Sequence, residues 1–515
     1  MTVSTRRAAF GAGILVLAMG GADAAVAKAP GSAGTGPSTT VTPYVLPAAR
    51  GVRVTSLFTV DDKPAGNGVG MVGNPDGLGL RVKGARRVVA LMNHEWAGRL
   101  GEERAHGETG AFVSRHVINP NTGRVRKTTD LIRTVRYWDY AGGTWASAPT
   151  DGSTAEFNRF CSGYLTTRGQ LFHRASRTGY RGRLYFGNEE NGDTGRDFAV
   201  TMRGLARQVP RMGLYSYENT LVASRTGRTT VAIGTEDGVA GDNGQLRIYV
   251  GRKQAHGNAV ERAGLANGTL HVLDAADQSI STDTAWRAAY STRGAHPAIA
   301  QEVDWNRSGP DQNAEAAQRG LSLNRIEDGA FDPSHPNDFY FLTTEGGAKT
   351  PDPAEPTNTR DGGGLWRLRF NDVRDPSKGM MLTLLLDGSE ASYLNKPDNM
   401  GIDEHGHLMI QEDPGVNSHL ARIVAYRIKD GARGVVAQFD PERFLAAAGS
   451  PDFLTEDEES SGIIAVEEGF GRRTFLFDAQ AHTADRLSDP VRQVQHGQLL
   501  LLRVKSWGRV FGAQR

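Results

Sequence analysis

Thr229-Thr230-Val231-Ala232-Ile233-Gly234-Thr235-Glu236-Asp237-Gly238 is a β-type run that ends in acids. The same ending recurs at Asn93-His94-Glu95, Asn188-Glu189-Glu190, Thr344-Glu345-Gly346 and Gln411-Glu412-Asp413. A repeated strand that delivers carboxylates to one end is how a closed, radially repeated β-structure builds a metal-binding mouth. Crowded carboxylates repel one another and resist ionising, and multivalent cations relieve that strain.

Outward from these endings, short β-type runs alternate with Gly, Asn and Asp turns from Tyr44 onward, as at Val88–Met92, Leu184–Phe186, Leu365–Phe370 and Thr474–Phe477. Pairs of runs share a layout. Glu218-Asn219-Thr220 leads to Thr235-Glu236-Asp237, and Arg325-Ile326-Glu327-Asp328 leads to Thr343-Thr344-Glu345. Asp398-Asn399-Met400 likewise leads to Gln411-Glu412-Asp413, and Ser460-Ser461-Gly462 to Gln480-Ala481-His482. The spacings are uneven, yet the recurrence predicts an all-β propeller rather than a sandwich. Helical insertions on the rim are expected at Ala314–Gly320 and Pro441–Ala448, and Ala255–Ser308 reads as an excursion outside the plan.

The chain has 515 residues and a net charge of +1, so no bulk field argues for nucleic acid or an anionic membrane as partner. Residues 1–27 carry Arg6-Arg7, an apolar run from Ala8 to Met19, and A-x-A sites at Ala22-Asp23-Ala24 and Ala25-Val26-Ala27. They read as a signal peptide, and the run is too short for a stable membrane span. Thr5-Arg6-Arg7-Ala8-Ala9-Phe10 resembles a twin-arginine signal, with an ordinary secretory start as the alternative. Residues 28–43, rich in Gly, Ser, Thr and Pro, are expected to be a flexible tether ahead of one domain over 44–515. The expected product is a periplasmic or secreted monomer. Its one cysteine, Cys161, cannot form an intrachain disulfide, and is either a buried small residue or a metal ligand.

The ligand chemistry is mixed. Asp and Glu oxygens, with the amide oxygens of Asn93, Asn188 and Asn399, suit calcium. A thiolate suits iron or zinc instead, so a site using both holds more than one kind of metal. Acids that only cap turns are the plainer alternative. In an extended strand Arg325 and Glu327 share a face, placing a phosphate-matching fork beside a metal-binding carboxylate, or else forming a salt bridge. The chain lacks G-x-S-x-G, P-loop and His-Glu-x-x-His patterns.

In this order the motifs resemble the PhoX-type alkaline phosphatases. The correspondence runs from the twin-arginine-like start and Asn93-His94-Glu95 through Cys161-Ser162-Gly163, Glu189-Glu190, Tyr217-Glu218 and Thr235-Glu236-Asp237. It continues through Arg325-Ile326-Glu327-Asp328-Gly329, Pro397-Asp398-Asn399, Glu412-Asp413 and Gln480-Ala481-His482. The resemblance implies a six-bladed propeller-like fold whose mouth holds ferric ions (Fe3+) and calcium (Ca2+), with Cys161 on iron. It also implies that Glu190, Glu218 and Glu327 are ligands and that Arg325 contacts phosphate. Catalytic candidates are therefore Arg325 and Glu327. Metal candidates are Glu95, Cys161, Glu189, Glu190, Glu218, Glu236, Asp237, Glu327, Asp398, Asn399, Glu412 and Asp413. The implied reaction is hydrolysis of phosphate monoesters, with diesters as a further substrate class. Two alternatives are a calcium-dependent propeller lactonase or esterase, which needs no thiolate, and a non-catalytic, calcium-stabilised ligand-binding propeller.

Overall fold

The structure is a computed structural model that describes residues 30–238, 241–347, 349–351, 359–390, 394–417 and 419–512. The expected signal peptide lies outside these residues. Among them, strands group into six four-stranded antiparallel sets. The innermost strands are β1 (Pro75–Val82), β2 (Phe160–Leu165), β3 (Tyr217–Val222), β4 (Ile326–Phe331), β5 (Pro397–Ile402) and β6 (Glu458–Ala465). Each touches the next, and β6 touches β1, so the innermost strands close a ring. This is the all-β, propeller-like architecture expected from the sequence.

Strand alternation builds the cores. In the second strand of the fourth set, Phe339 and Phe341 pack toward the third set with Ile233 and Ile248. Their neighbours Tyr340 and Leu342 pack the other way, with Met400 and Leu408 of the fifth set. Successive side chains point to opposite faces, so one strand feeds two inter-set cores. The second strands Val88–His94, Leu184–Glu189, Asp338–Thr343, His407–Glu412 and Thr474–Ala481 are accordingly buried throughout.

Closure joins the two ends of the chain. Val52–Thr59 pairs antiparallel with His496–Val504 and completes the set that begins with β6. The expected tether is corrected from residue 30 onward. Ser32–Thr35 adds a parallel strand outside Val52–Thr59, and Thr39 and Thr40 donate to Asp62 at 2.6 and 2.9 Å. An open strand edge with unpaired polar groups recruits the segment, despite its linker-like composition.

The expected excursion over Ala255–Ser308 is corrected in part: one strand of it belongs to the four-stranded plan, and the rest lies outside it. Thr269–Ala275 is the outer strand of the third set, and His296–Val303 pairs with it and with Met380–Leu386 of the fourth. Helix Asp283–Tyr290, N-capped by Thr282, buries Trp286 beside this bridge. The rim helices occur at Gly309–Arg319 and Pro441–Phe444, the latter followed by a turn at Ala446–Ala448. No helix among the described residues is long and apolar enough to cross a membrane.

Candidate metal centre

Each pairing between an innermost strand and its second strand slips register once. The slips fall between Pro75 and Leu78, Phe160 and Gly163, Tyr217 and Asn219, Ile326 and Gly329, Pro397 and Met400, and Ser461 and Ile463. A bulge adds an unpaired residue and re-aims its side chain. In β1 to β5 the slipped residues include Asp76, Cys161, Glu218, Glu327 and Asp398, so the same distortion is used five times to turn a donor toward the axis. Glycines permit the crowding: a Cβ at Gly77 would lie 2.1 Å from the Gly163 nitrogen.

The donors converge. Ligand atoms of Asp76, Glu95 and Cys161 lie within 4.8 Å of one another, as do those of Cys161, Glu190 and Glu218, and those of Glu218, Glu327 and Asp398. Cys161 and Glu218 are shared, so the three groups form one chain of donors. The Cys161 Sγ is 3.4 Å from Asp76 Oδ2. One oxygen each of Glu218, Glu327 and Asp398 is buried without a hydrogen-bond partner. Burial and neighbouring carboxylates push Asp76, Glu327 and Asp398 well above the usual carboxylate range. Burial likewise carries Glu218 to about 8 and, with Asp76 and Glu218 beside it, raises the Cys161 thiol. Buried anionic donors with orphaned oxygens and a thiol are what multivalent cations satisfy. The site fits metal.

The tandem acids divide by strand parity. The first of each pair turns sideways, onto an arginine at or directly before the start of its own third strand. Glu189 meets Arg196 at 2.8 Å, Glu236 meets Arg247 at 2.9 Å, and Glu412 meets Arg422 at 2.6 Å. Burial opposes ionisation of Glu412, yet Arg422 and His419 hold it down to about 2. Glu189, Glu236 and Glu412, expected as ligands, stand outside the three donor groups and are engaged in these ion pairs instead. The second acid of each pair faces the mouth. Glu190 enters a donor group, while Asp237 grips Arg325 with bonds of 2.8 and 2.9 Å to Nε and Nη2. Asp413 accepts from the Gly415 amide and shares the fields of Asp398 and Glu459. Asn399 donates to Ser162 at 2.6 Å, and its Oδ1 is buried without a partner.

Sequence reasoning missed Asp76. Asn74-Pro75-Asp76-Gly77 leads into its strand just as Glu327-Asp328-Gly329 does, and that layout was the available signal. Glu459 was missed too. Its carboxylate lies 3.4 Å from His482, which is held protonated to about 10 against the effect of burial.

A second device repeats at the mouth. Asn74, Arg159, Arg325 and Lys396 directly precede β1, β2, β4 and β5, and all four have left-handed backbones, with φ of 47, 44, 52 and 44°. Their carbonyls accept from the amides of Glu95, Glu190, Thr344 and Asp413 at 2.9 to 3.0 Å. Non-glycine residues held this way are strained and favour functional sites.

The Glu218 shift has a sign that can be tested. The folded, metal-free protein keeps a proton that the unfolded chain releases above the ordinary value of 4.5. Its stability should therefore fall as pH rises from about 4.5 to about 8, while metal-loaded protein lacks this loss. Thermal melts of stripped and loaded protein across that window check it. A stripped protein that gains stability over the window contradicts the assignment.

Fold and mouth together define a propeller-like protein with a multi-donor site suited to cations. The family described as alkaline phosphatase PhoX matches residues 199–460, just over half of the chain. The chain belongs to that family, and is a phosphoric ester hydrolase. PhoX of Pseudomonas fluorescens, solved with the transition-state analogue vanadate, is similar in fold at a TM-score of 0.56 and 13% identity. The match covers 91% of this chain and 97% of that one. The GH93 α-L-arabinofuranosidase of Fusarium graminearum is more distant, at 0.39 and 9% identity over 90% of this chain and 98% of that one. No curated protein sequence matches the chain.

Proposed function

We propose that this protein is an exported, metal-dependent phosphatase of phosphate monoesters, and of diesters as a further substrate class, working as a monomer in the periplasm or outside the cell. Asp76, Cys161, Glu190, Glu218, Glu327 and Asp398 would hold the cations, with iron beside the sulfur and calcium among the carboxylates. Such cations, when bound, supply charge neutralisation for the phosphoryl oxygens. Arg325 binds and orients the phosphoryl group, its charge fixed by the Asp237 fork. Glu327, 3.5 Å from that guanidinium, links the phosphate contact to the donor chain. The observation that carries this reading is an anchored arginine at the edge of buried donors whose oxygens lack hydrogen-bond partners, in a member of this family.

Elemental analysis of protein made through its native export route is expected to find iron and calcium. Hydrolysis of an aryl phosphate at alkaline pH is expected to stop on chelation. Metal-free protein with full stability and full activity would defeat the proposal. Replacement of Arg6-Arg7 by lysines should hold the precursor inside the cell if the twin-arginine route is used.

A further inference from the structure

Arg159 and Arg325 hold equivalent backbone positions but have different partners. Arg325 spends its fork on Asp237, which belongs to none of the three donor groups. Arg159 spends its fork on the donors themselves. Its Nε donates to Glu95 Oε1 at 2.9 Å, its Nη2 donates to the same oxygen, and Nη2 lies 2.8 Å from Glu190 Oε2. Glu95 stands in the group with Asp76 and Cys161, and Glu190 in the group with Cys161 and Glu218. One organic cation thus joins the two carboxylates that flank the sulfur.

The backbone fixes it there. Arg159 is left-handed at φ 44°, its amide donates to the Trp96 carbonyl, and its own carbonyl accepts from Glu190. The two carboxylates are nearly buried, with side chains 8% and 9% exposed. Two nearly buried carboxylates this close repel one another, and the guanidinium between them supplies the opposite charge.

We propose that Arg159 is a resident cation of this centre: its guanidinium fills the place between Glu95 and Glu190 that an ion would otherwise take. Loss of its charge opens one more cation site, built from those two carboxylates on the sulfur side of the mouth. A guanidinium is permanently charged and cannot be chelated, so this side of the cluster keeps its shape at low calcium.

The inference rests on the metal-centre reading, and the test separates the two. Wild type, Arg159→Met, Arg159→Gln and Arg159→Lys are equilibrated with calcium by dialysis at alkaline pH, and their iron and calcium are counted per chain. The expected result is one additional calcium in the Met and Gln variants and the wild-type count in the Lys variant. Added calcium should also raise the melting temperature of dialysed, calcium-poor neutral variants more than that of wild type. Two neutral variants guard against a folding failure in one of them. A folded neutral variant with the wild-type count, or fewer, overturns the resident-cation assignment alone. A wild type that binds no ion at all defeats the metal-centre reading and this inference with it.

Discussion

Cys161→Ala is expected to lose iron and phosphatase activity together, with turnover down by more than about 100-fold. The thiol is buried, it sits 3.4 Å from a carboxylate oxygen, and it belongs to two donor groups at once. Burial and the surrounding acids drive its pKa upward, so a free thiolate is not stable there. A bound iron cation reverses that balance, because coordination deprotonates a thiol. The alternative, a small apolar filler, predicts a different outcome. Alanine would then cost only packing, and iron content would not change. Cys161→Ser sharpens the contrast, since it nearly preserves size but offers a far less acidic hydroxyl in place of a thiolate, and should reduce iron more than calcium. Elemental analysis beside a rate measurement decides the matter. Full iron occupancy in a folded Cys161→Ala protein would remove the sulfur from the site. A calcium-only lactonase would keep its rate in the same variant, so this substitution also discriminates between enzyme classes.

The strands were legible because their period of two and their Gly, Asn and Asp turns are local properties. The acidic endings were legible for the same reason, and they do point to one end of the ring. Two physical facts hid the rest. The first is parity: in Glu189-Glu190, Glu236-Asp237 and Glu412-Asp413, adjacent residues face opposite ways, and composition does not say which one reaches the mouth. The answer lay downstream in Arg196, Arg247 and Arg422, which are 7, 11 and 10 residues further on; Arg196 directly precedes its third strand, and Arg247 and Arg422 begin theirs. A tandem acid followed at that distance by an arginine at a strand start is a pattern of ion pairing. The second is the bulge. Asp76, Cys161, Glu218, Glu327 and Asp398 reach the axis through slipped registers, and an ideal alternation would assign their faces differently. The closing strand and the bridge at His296–Val303 depend on contacts distant in the chain. They carry no local signature.

Arg325→Ala is expected to lower turnover by roughly one to three orders of magnitude with the metal count unchanged. Arg325 has φ 52° in a residue that is not glycine, a conformation held by the Thr344 amide on its carbonyl. Its Nε and Nη2 are fixed by Asp237, whereas Nη1 stands 3.8 Å from Glu345, beyond hydrogen-bond reach. The side chain keeps 27% exposure, so the guanidinium is not sealed from solvent. A charge held in place beforehand costs no reorganisation when phosphoryl charge redistributes, which is why its removal should act on turnover. Arg325→Lys keeps the charge but loses the planar fork, and should recover only part of the rate. Asp237→Asn tests the anchor. If Asp237 serves Arg325, the asparagine variant should keep its metals, lose turnover by a smaller factor, and be non-additive with Arg325→Ala. If Asp237 is itself a ligand, calcium or iron should fall in that variant while Arg325 still contributes its full effect. An unchanged rate in folded Arg325→Ala would leave the Arg325–Asp237 pair as architecture, and would move the phosphate contact to another cation of the mouth.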